Sequence, residues 1–94
     1  MLSGTFKRSY ESDDWGLHDG SGERKIEIYQ EFSTPFVKQP SVSISLSEID
    51  SGAGPLRVRV SATEVGTRGF KAVIETWADS VLYAAAVSWI AYEP

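Results

Sequence analysis

Two aromatic residues and two arginines in the second half of the chain have the types and spacing of a ligand-binding surface. Trp77 and Tyr83 flank residues 78–80, which are predicted to form a hairpin turn. Arg57 and Arg59 lie on the polar face of a predicted strand. An exposed ring can stack against the C–H face of a sugar, while arginine and aspartate bind its hydroxyl groups. Alternatively, the rings fill the core and the arginines pair with carboxylates across a sheet.

Residues 11–25 are predicted to form one long polar loop, rich in glycine and aspartate, which is a second region that could bind a ligand or catalyse a reaction. His18 stands beside Asp19, but adjacent side chains rarely face each other and no Gly-x-Ser-x-Gly motif is present, which argues against a hydrolase. Gly20-Ser21-Gly22 precedes a predicted strand rather than a helix, so it predicts a tight turn and not a phosphate site. The loop aspartates lack the spacing of an EF-hand and predict a hydrated acidic surface: Asp13, Asp14 and Asp19.

The composition argues against several classes of protein. Ninety-four residues suffice for one domain, assigned to residues 1–94. A net charge of −4 argues against nucleic-acid coating and against a polybasic membrane anchor. There is no cysteine and one histidine, so no metal or other cofactor is predicted. No apolar run is long enough for membrane insertion, and the first residues lack the pattern of a signal peptide, which leaves the compartment open.

Alternation of apolar and polar residues predicts an all-β fold that positions these groups. The period of two is typical of half-buried strands, and no window of 11 or more residues shows a helical period. Short strands at this spacing favour a sandwich of antiparallel sheets. The predicted strands are 26–32, 42–46, 56–62, 70–77 and 81–92, with a weaker one at 5–10.

The last predicted strand is apolar on both of its faces. Strict alternation puts one set of side chains on one face: Tyr83, Ala85, Val87, Trp89 and Ala91. The opposite set is also mostly apolar: Leu82, Ala84, Ala86, Ser88, Ile90 and Tyr92. A sandwich strand normally keeps one face in water, so both faces should be covered. Either a loop of the same chain or a second copy of the chain could provide that cover.

The spacing of these residues resembles the H-type lectin domain, a family found in invertebrate agglutinins and in the C-terminal domain of discoidins. The resemblance rests on Leu56-Arg57-Val58, Gly69-Phe70-Lys71, Thr76-Trp77 with Tyr83, and Val87-Ser88-Trp89-Ile90. It is clearest over residues 32–92, where Phe32-Ser33-Thr34-Pro35, Pro40-Ser41-Val42 and Ile49-Asp50 also match, and looser at residues 15–24.

The resemblance implies a fold, an assembly and a ligand. The fold would be a six-stranded antiparallel β-sandwich, assembled as a homotrimer or as a hexamer of paired trimers. Glycans with terminal galactose or N-acetylgalactosamine would bind between neighbouring subunits without a metal. The implied sugar-binding residues are Arg57, Trp77 and Tyr83, with Asp19, Ser21 and Gly22 from the neighbouring subunit. Ala78 stands where some members have a histidine, and Asp79 is a candidate to replace its hydrogen bond.

The sequence therefore predicts a multivalent, metal-independent lectin, not an enzyme and with no catalytic residues. Two alternatives stay open. One is a trimeric structural or adhesion module, such as the cap of a phage-tail fibre, that has lost sugar binding, as Ala78 suggests. The other is a glycosidase, although nothing among the thirteen acidic residues selects a catalytic pair.

Overall fold

Six antiparallel strands in two three-stranded sheets make up the fold in a computed structural model, which describes residues 1–12, 15–52 and 54–93. The strands are β1 (Leu2–Ser9), β2 (Arg24–Glu31), β3 (Ser41–Ser51), β4 (Arg59–Thr63), β5 (Gly69–Thr76) and β6 (Leu82–Tyr92). One sheet has the order β1-β6-β3 and the other β2-β5-β4. The predicted all-β, six-stranded antiparallel sandwich is confirmed. In the described part of the chain no helix is long and apolar enough to cross a membrane.

The core lies between the two sheets, because the inward side chains of both are apolar. In β5, residues Phe70, Ala72, Ile74 and Thr76 are buried, as their alternation predicts. Ile26 and Ile28 of β2 meet Leu82, Ala85 and Val87 of β6 in one cluster. Burying an aliphatic side chain of this size contributes about 1.5–3 kcal/mol, so this pairing of faces holds the sheets together.

Aromatic rings fill the opposite end of the core. The ring of Trp89 lies 5.4 Å from that of Phe70 and 5.8 Å from that of Phe32, measured between centroids. Trp89 is 6% exposed, and Phe70 is fully buried. Trp89 is therefore a core residue of this chain.

Gly4 of β1 packs directly against this aromatic group. A methyl group added at its Cα would lie 2.9 Å from two atoms of the Trp89 ring. We expect Gly4→Ala to lower the free energy of unfolding by about 1–3 kcal/mol, because the buried ring has to move. Thermal unfolding followed by near-UV circular dichroism measures the effect.

Gly16→Ala is the matched control for this substitution. A methyl group at Gly16 would have nothing within 4 Å, so its melting temperature should match that of the unmodified protein or exceed it slightly. Equal stability of the Gly4 and Gly16 variants would contradict the close contact with Trp89.

A β-bulge at Tyr83 overturns the predicted faces of the last strand. In the pairing of β3 with β6, Asp50 lies opposite Ala84 but Ser51 lies opposite Leu82, so Tyr83 is an extra residue. The bulge breaks the alternation, which lets both Leu82 and Ala85 enter the core although they are three residues apart. Tyr83 itself is 38% exposed, so its assignment to the face of Trp89 is wrong.

Three further expectations need correction. The strand predicted from residue 56 begins only at Arg59, and Leu56 is exposed. The weaker strand predicted at residues 5–10 is a full strand, β1 (Leu2–Ser9), which pairs along its length with β6. The loop at residues 11–25 is not uniformly polar, because Trp15 and Leu17 are buried and Trp15 Nε1 donates to the Leu82 carbonyl at 2.8 Å.

The segment between β5 and β6 is not the predicted hairpin. These strands belong to different sheets, so residues 77–81 carry the chain across the end of the sandwich. Trp77 therefore follows a strand of one sheet, and Tyr83 belongs to a strand of the other. This connection places several of the candidate residues at one end of the molecule.

Candidate functional site

Arg57 is held at this end of the sandwich by both its side chain and its backbone. Its Nη1 donates to Asp79 Oδ1 at 2.8 Å and to Ser80 Oγ at 3.3 Å. The Thr76 hydroxyl donates to the Arg57 carbonyl at 2.5 Å, which ties the residue to the end of β5. The side chain is 34% exposed. The guanidinium is therefore fixed in position and still reachable from solvent.

Trp77 lies on the outer face of the β2-β5-β4 sheet. The Cζ of Arg59 is 5.2 Å from the centroid of the Trp77 ring, a cation–π contact. Arg59 lies opposite Glu75 and donates to Glu75 Oε2 at 2.9 Å, and this hydrogen bond raises the pKa of the Arg59 guanidinium. Arg57 lies two residues before β4 begins, and Trp77 directly follows the end of β5. Because β4 and β5 are antiparallel partners, Arg57 and Trp77 lie at the same end of this sheet.

Tyr83 packs in an aromatic cluster at the end of the other sheet. Its ring centroid is 5.9 Å from that of Tyr10 and 6.3 Å from that of His18. The Tyr10 amide donates to the Tyr83 carbonyl at 2.7 Å, which aligns the two segments. His18 Nε2 also lies 3.3 Å from Asp19 Oδ2, so the expectation that these adjacent side chains do not meet is wrong. Within one chain, Tyr83 therefore has a different set of neighbours from Arg57 and Trp77.

The turn at residues 78–80 combines an exposed carboxylate with a buried hydroxyl. Ala78 adopts a left-handed backbone conformation, φ 58°, which costs an L-residue about 1 kcal/mol or more. Ser80 is 1% exposed, and its hydroxyl donates to the Pro55 carbonyl at 2.9 Å. The side chain of Asp79 is 78% exposed while it accepts from Arg57. A ligand that reaches this turn would therefore meet a hydrogen-bond acceptor, the Asp79 carboxylate, next to a donor, the Arg57 guanidinium.

The loop containing Asp19, Ser21 and Gly22 lies against this turn of its own chain. The Gly22 amide donates to the Ala78 carbonyl at 2.8 Å. Gly20 and Gly22 have φ angles of 75° and 80°, so the predicted tight turn is confirmed. Asp19 and Ser21 are exposed. The structure therefore brings the loop and the Ala78 turn together within one chain.

Arg24 is the residue of this region that sequence reasoning missed. Its guanidinium reaches the backbone of both the loop and the turn. The sequence does point to it, because Arg24 lies two and four residues before Ile26 and Ile28. All three side chains therefore face the same, inward side of β2. An arginine at an inward position needs buried acceptors, which indicates a structural role at the end of the strand.

Metal binding finds no support in the described parts of the chain. Residues 1–12, 15–52 and 54–93 contain no group of three or more histidine, aspartate or glutamate side chains that could hold an ion. Asp13 and Asp14, two of the three aspartates considered for calcium, lie outside the described residues.

The outer face of the β1-β6-β3 sheet is covered mainly by small side chains. Cross-strand neighbours on this face include Ser43 with Ile90 and Ser45 with Ser88. Lys7 and Glu48 form an ion pair of 2.7 Å across its surface. Ile90 is 44% exposed and Tyr92 40%, so the alternative in which a loop of the same chain covers this face is wrong for these two residues.

Comparison with known protein families gives a match over most of the chain. The model of the H-type lectin domain matches residues 27–92. This range contains four of the candidate sugar-binding residues, namely Arg57, Trp77, Asp79 and Tyr83.

Individual proteins support the same relationship. Discoidin-1 of Dictyostelium discoideum is 29% identical over 84 residues, which is 87% of this chain and 33% of that protein. The ATP synthase subunits region ORF 7 protein of Fuscovulum blasticum is 27% identical over 82 residues, which is 85% of this chain and 70% of that protein. The solved structure of recombinant discoidin II from D. discoideum superposes with a TM-score of 0.83 at 24% identity, covering 98% of this chain and 36% of that one. The chain thus spans about a third of the length of the discoidins it matches.

Proposed function

This chain belongs to the H-type lectin domain family, and we propose that it is a metal-independent lectin for glycans with terminal galactose or N-acetylgalactosamine. Carbohydrate binding is the function supported by the family and by the discoidin relatives. The sugar class, the site residues and the assembly of subunits are the proposal. No catalytic role is assigned to any residue.

The fixed guanidinium of Arg57 is the observation that carries this proposal. Its contacts with Asp79 and Ser80 set its orientation before a ligand arrives, so little side-chain entropy is lost on binding. A planar guanidinium can donate two parallel hydrogen bonds to neighbouring sugar oxygens. The Trp77 ring, at the same end of the sheet, would supply apolar cover, and the exposed Asp79 carboxylate would accept from a hydroxyl.

The remaining predicted contacts come from Tyr83 and from the loop. The Tyr83 ring is 38% exposed within its own chain, so a second copy can approach it. In the proposed assembly, Asp19, Ser21 and Gly22 of one subunit complete the site formed by Arg57, Trp77 and Tyr83 of the next.

Each site should bind weakly and depend on multivalency. A monosaccharide has few atoms to bury in a shallow, hydrated groove, so we expect a Kd on the order of millimolar to micromolar. Several sites on one rigid assembly would raise the avidity for a glycan-coated surface by a factor on the order of 100 or more.

The outer face of the β1-β6-β3 sheet is the proposed subunit interface. Its small serine and alanine side chains allow two backbones to approach closely, and the exposed Ile90 and Tyr92 provide apolar area. A chain of 94 residues also gains from burying more apolar surface by self-association.

We expect Ile90→Glu to dissociate the assembly, because a charge buried in an apolar contact is not compensated. Light scattering measures the mass, which should fall to that of one chain of 10.3 kDa. Tyr29→Glu is the control, since Tyr29 is 60% exposed on the outer face of the other sheet. A trimer that persists in the Ile90 variant would exclude this face as the interface.

A glycan array followed by isothermal titration tests the proposed function directly. We expect the protein to bind glycans with terminal galactose or N-acetylgalactosamine, and to do so equally well in the presence of EDTA. Binding confined to other sugars would refute the specificity, and loss of binding in EDTA would refute metal independence.

Ala78 favours the second candidate, a trimeric structural or adhesion module. Its methyl group cannot form the hydrogen bond that a histidine would provide at this position. A folded trimer that binds no glycan on the array would support this function in place of the lectin.

A further inference from the structure

One arginine side chain joins two segments of the chain that the proposed assembly places in the glycan sites of neighbouring subunits. Arg24 Nη1 lies 2.8 Å from the Asp19 carbonyl oxygen and 3.4 Å from that of Leu17. Its Nη2 donates to the carbonyls of Ala78 at 3.1 Å and Ser80 at 2.8 Å.

Arg24 makes one more hydrogen bond to the loop. Arg24 Nε donates to the Gly22 carbonyl at 3.0 Å, which brings its backbone acceptors to five. We infer that Arg24 is a positioning residue of the glycan sites: it holds the turn at residues 78–80, which belongs to the site of its own subunit, in a fixed arrangement with the loop at residues 17–22, which completes the site of the neighbouring subunit. This inference rests on the proposed lectin function.

The chemistry of the side chain suits this role. Five N–H donors in a planar fork can reach acceptors on two sides at once, which an ammonium group on a flexible stem cannot do with the same geometry. Hydrogen bonds from a charged donor are stronger than those between neutral groups, and they are strongest where water is excluded. Arg24 is half-buried, so its contacts are partly protected from water.

Arg24 also sets the direction of the peptide groups around it. The C=O and N–H groups of a trans peptide point in opposite directions. Because the carbonyls of Asp19 and Ala78 face the guanidinium, the amides of Gly20 and Asp79 point away from it. Arg24 therefore fixes which backbone donors the loop and the turn can present to a ligand.

The position of Arg24 in the fold explains how it acts without touching the sugar. The backbone of Arg24 pairs with that of Thr76, and this is the last residue pair between β2 and β5. The hydroxyl of Thr76 binds the Arg57 carbonyl on the other side of the same strand. A rigid ladder thus supports both Arg24 and Arg57, so that the loop, the turn and the guanidinium of Arg57 keep a constant spacing.

The test combines Arg24→Lys and Arg24→Gln, with Arg68→Lys as the matched control. Arg68 lies in the loop between β4 and β5, at the opposite end of the sandwich. The Kd for galactose and for N-acetylgalactosamine is measured by titration at a temperature where circular dichroism shows every variant folded. Amide hydrogen exchange is measured for residues 17–22 and 78–80 and for the strands.

We expect both Arg24 variants to bind about tenfold more weakly or worse, because the two segments lose their fixed spacing. Exchange should speed up in both segments together and stay unchanged in the middle of the strands. The Arg68 variant should match the unmodified protein in both measurements.

Two outcomes would overturn the inference: an unchanged Kd in a folded Arg24 variant, or unchanged exchange in the two segments. An unmodified protein that binds neither sugar would instead refute the proposed function. In that case the exchange measurement still decides whether Arg24 joins the loop to the turn.

Discussion

Arg57→Ala is expected to weaken sugar binding about 100-fold, and so to abolish detectable binding at a millimolar site, while leaving the fold and the assembly intact. The substitution removes the forked donor on which the proposed site depends, a loss of about 3 kcal/mol or roughly 100-fold in Kd. A site that starts near millimolar then falls below detection by titration, and one that starts near micromolar weakens to a Kd of about 0.1 mM. The cost in stability should stay under about 1 kcal/mol, because the ion pair with Asp79 is largely exposed.

The control for this prediction is Arg68→Ala, which removes an arginine at the other end of the sandwich. Its sugar affinity should equal that of the unmodified protein. Light scattering and thermal unfolding of the Arg57 variant show whether the loss is specific to binding. An unchanged Kd for galactose and N-acetylgalactosamine would mean that the site is misplaced.

Trp89→Ala is expected to cause the largest loss of stability, about 3–5 kcal/mol, because it leaves a cavity among rings that cannot close over it. The ring is 6% exposed and packs against Phe32 and Phe70, both buried. A domain of this size has only about 5–15 kcal/mol of total stability, so the variant should melt far below the unmodified protein. Equilibrium unfolding in urea measures the change.

Tyr29→Ala is the comparison for this variant, since it also removes an aromatic ring but from a position that is 60% exposed. We expect it to cost less than about 1 kcal/mol. A Trp89 variant with the melting temperature of the unmodified protein would contradict its assignment to the core.

Sequence reasoning was most successful where the pattern is local. The alternation of apolar and polar residues in β2 and β5 predicts their buried faces, and the structure confirms both. A strand has a period of two whatever its partner, so each strand can be identified from its own residues. The spaced matches to the H-type lectin domain also lie along the sequence, and the family model confirms them over residues 27–92.

The contacts of the candidate site could be predicted only in part from the sequence. Pairing of an arginine with a carboxylate across strands was one of the alternatives that the sequence offered, and Arg59 does pair with Glu75. The contact of Arg57 with Asp79 joins residues 22 positions apart and was not predicted. Arg24 was missed because its acceptors are backbone carbonyls, which every residue type carries and which therefore leave no mark in the sequence.

The alternation of apolar and polar residues predicts six strands and, for most of them, which side chains are buried, because burial at a period of two is a property of each segment. That β5 and β6 belong to different sheets, and that a bulge at Tyr83 changes the faces of the last strand, became clear from the folded molecule alone. The same is true of the contacts by which Arg24 joins the loop to the turn. These features depend on which distant backbone groups satisfy one another's hydrogen bonds, and that is settled only when the two sheets pack.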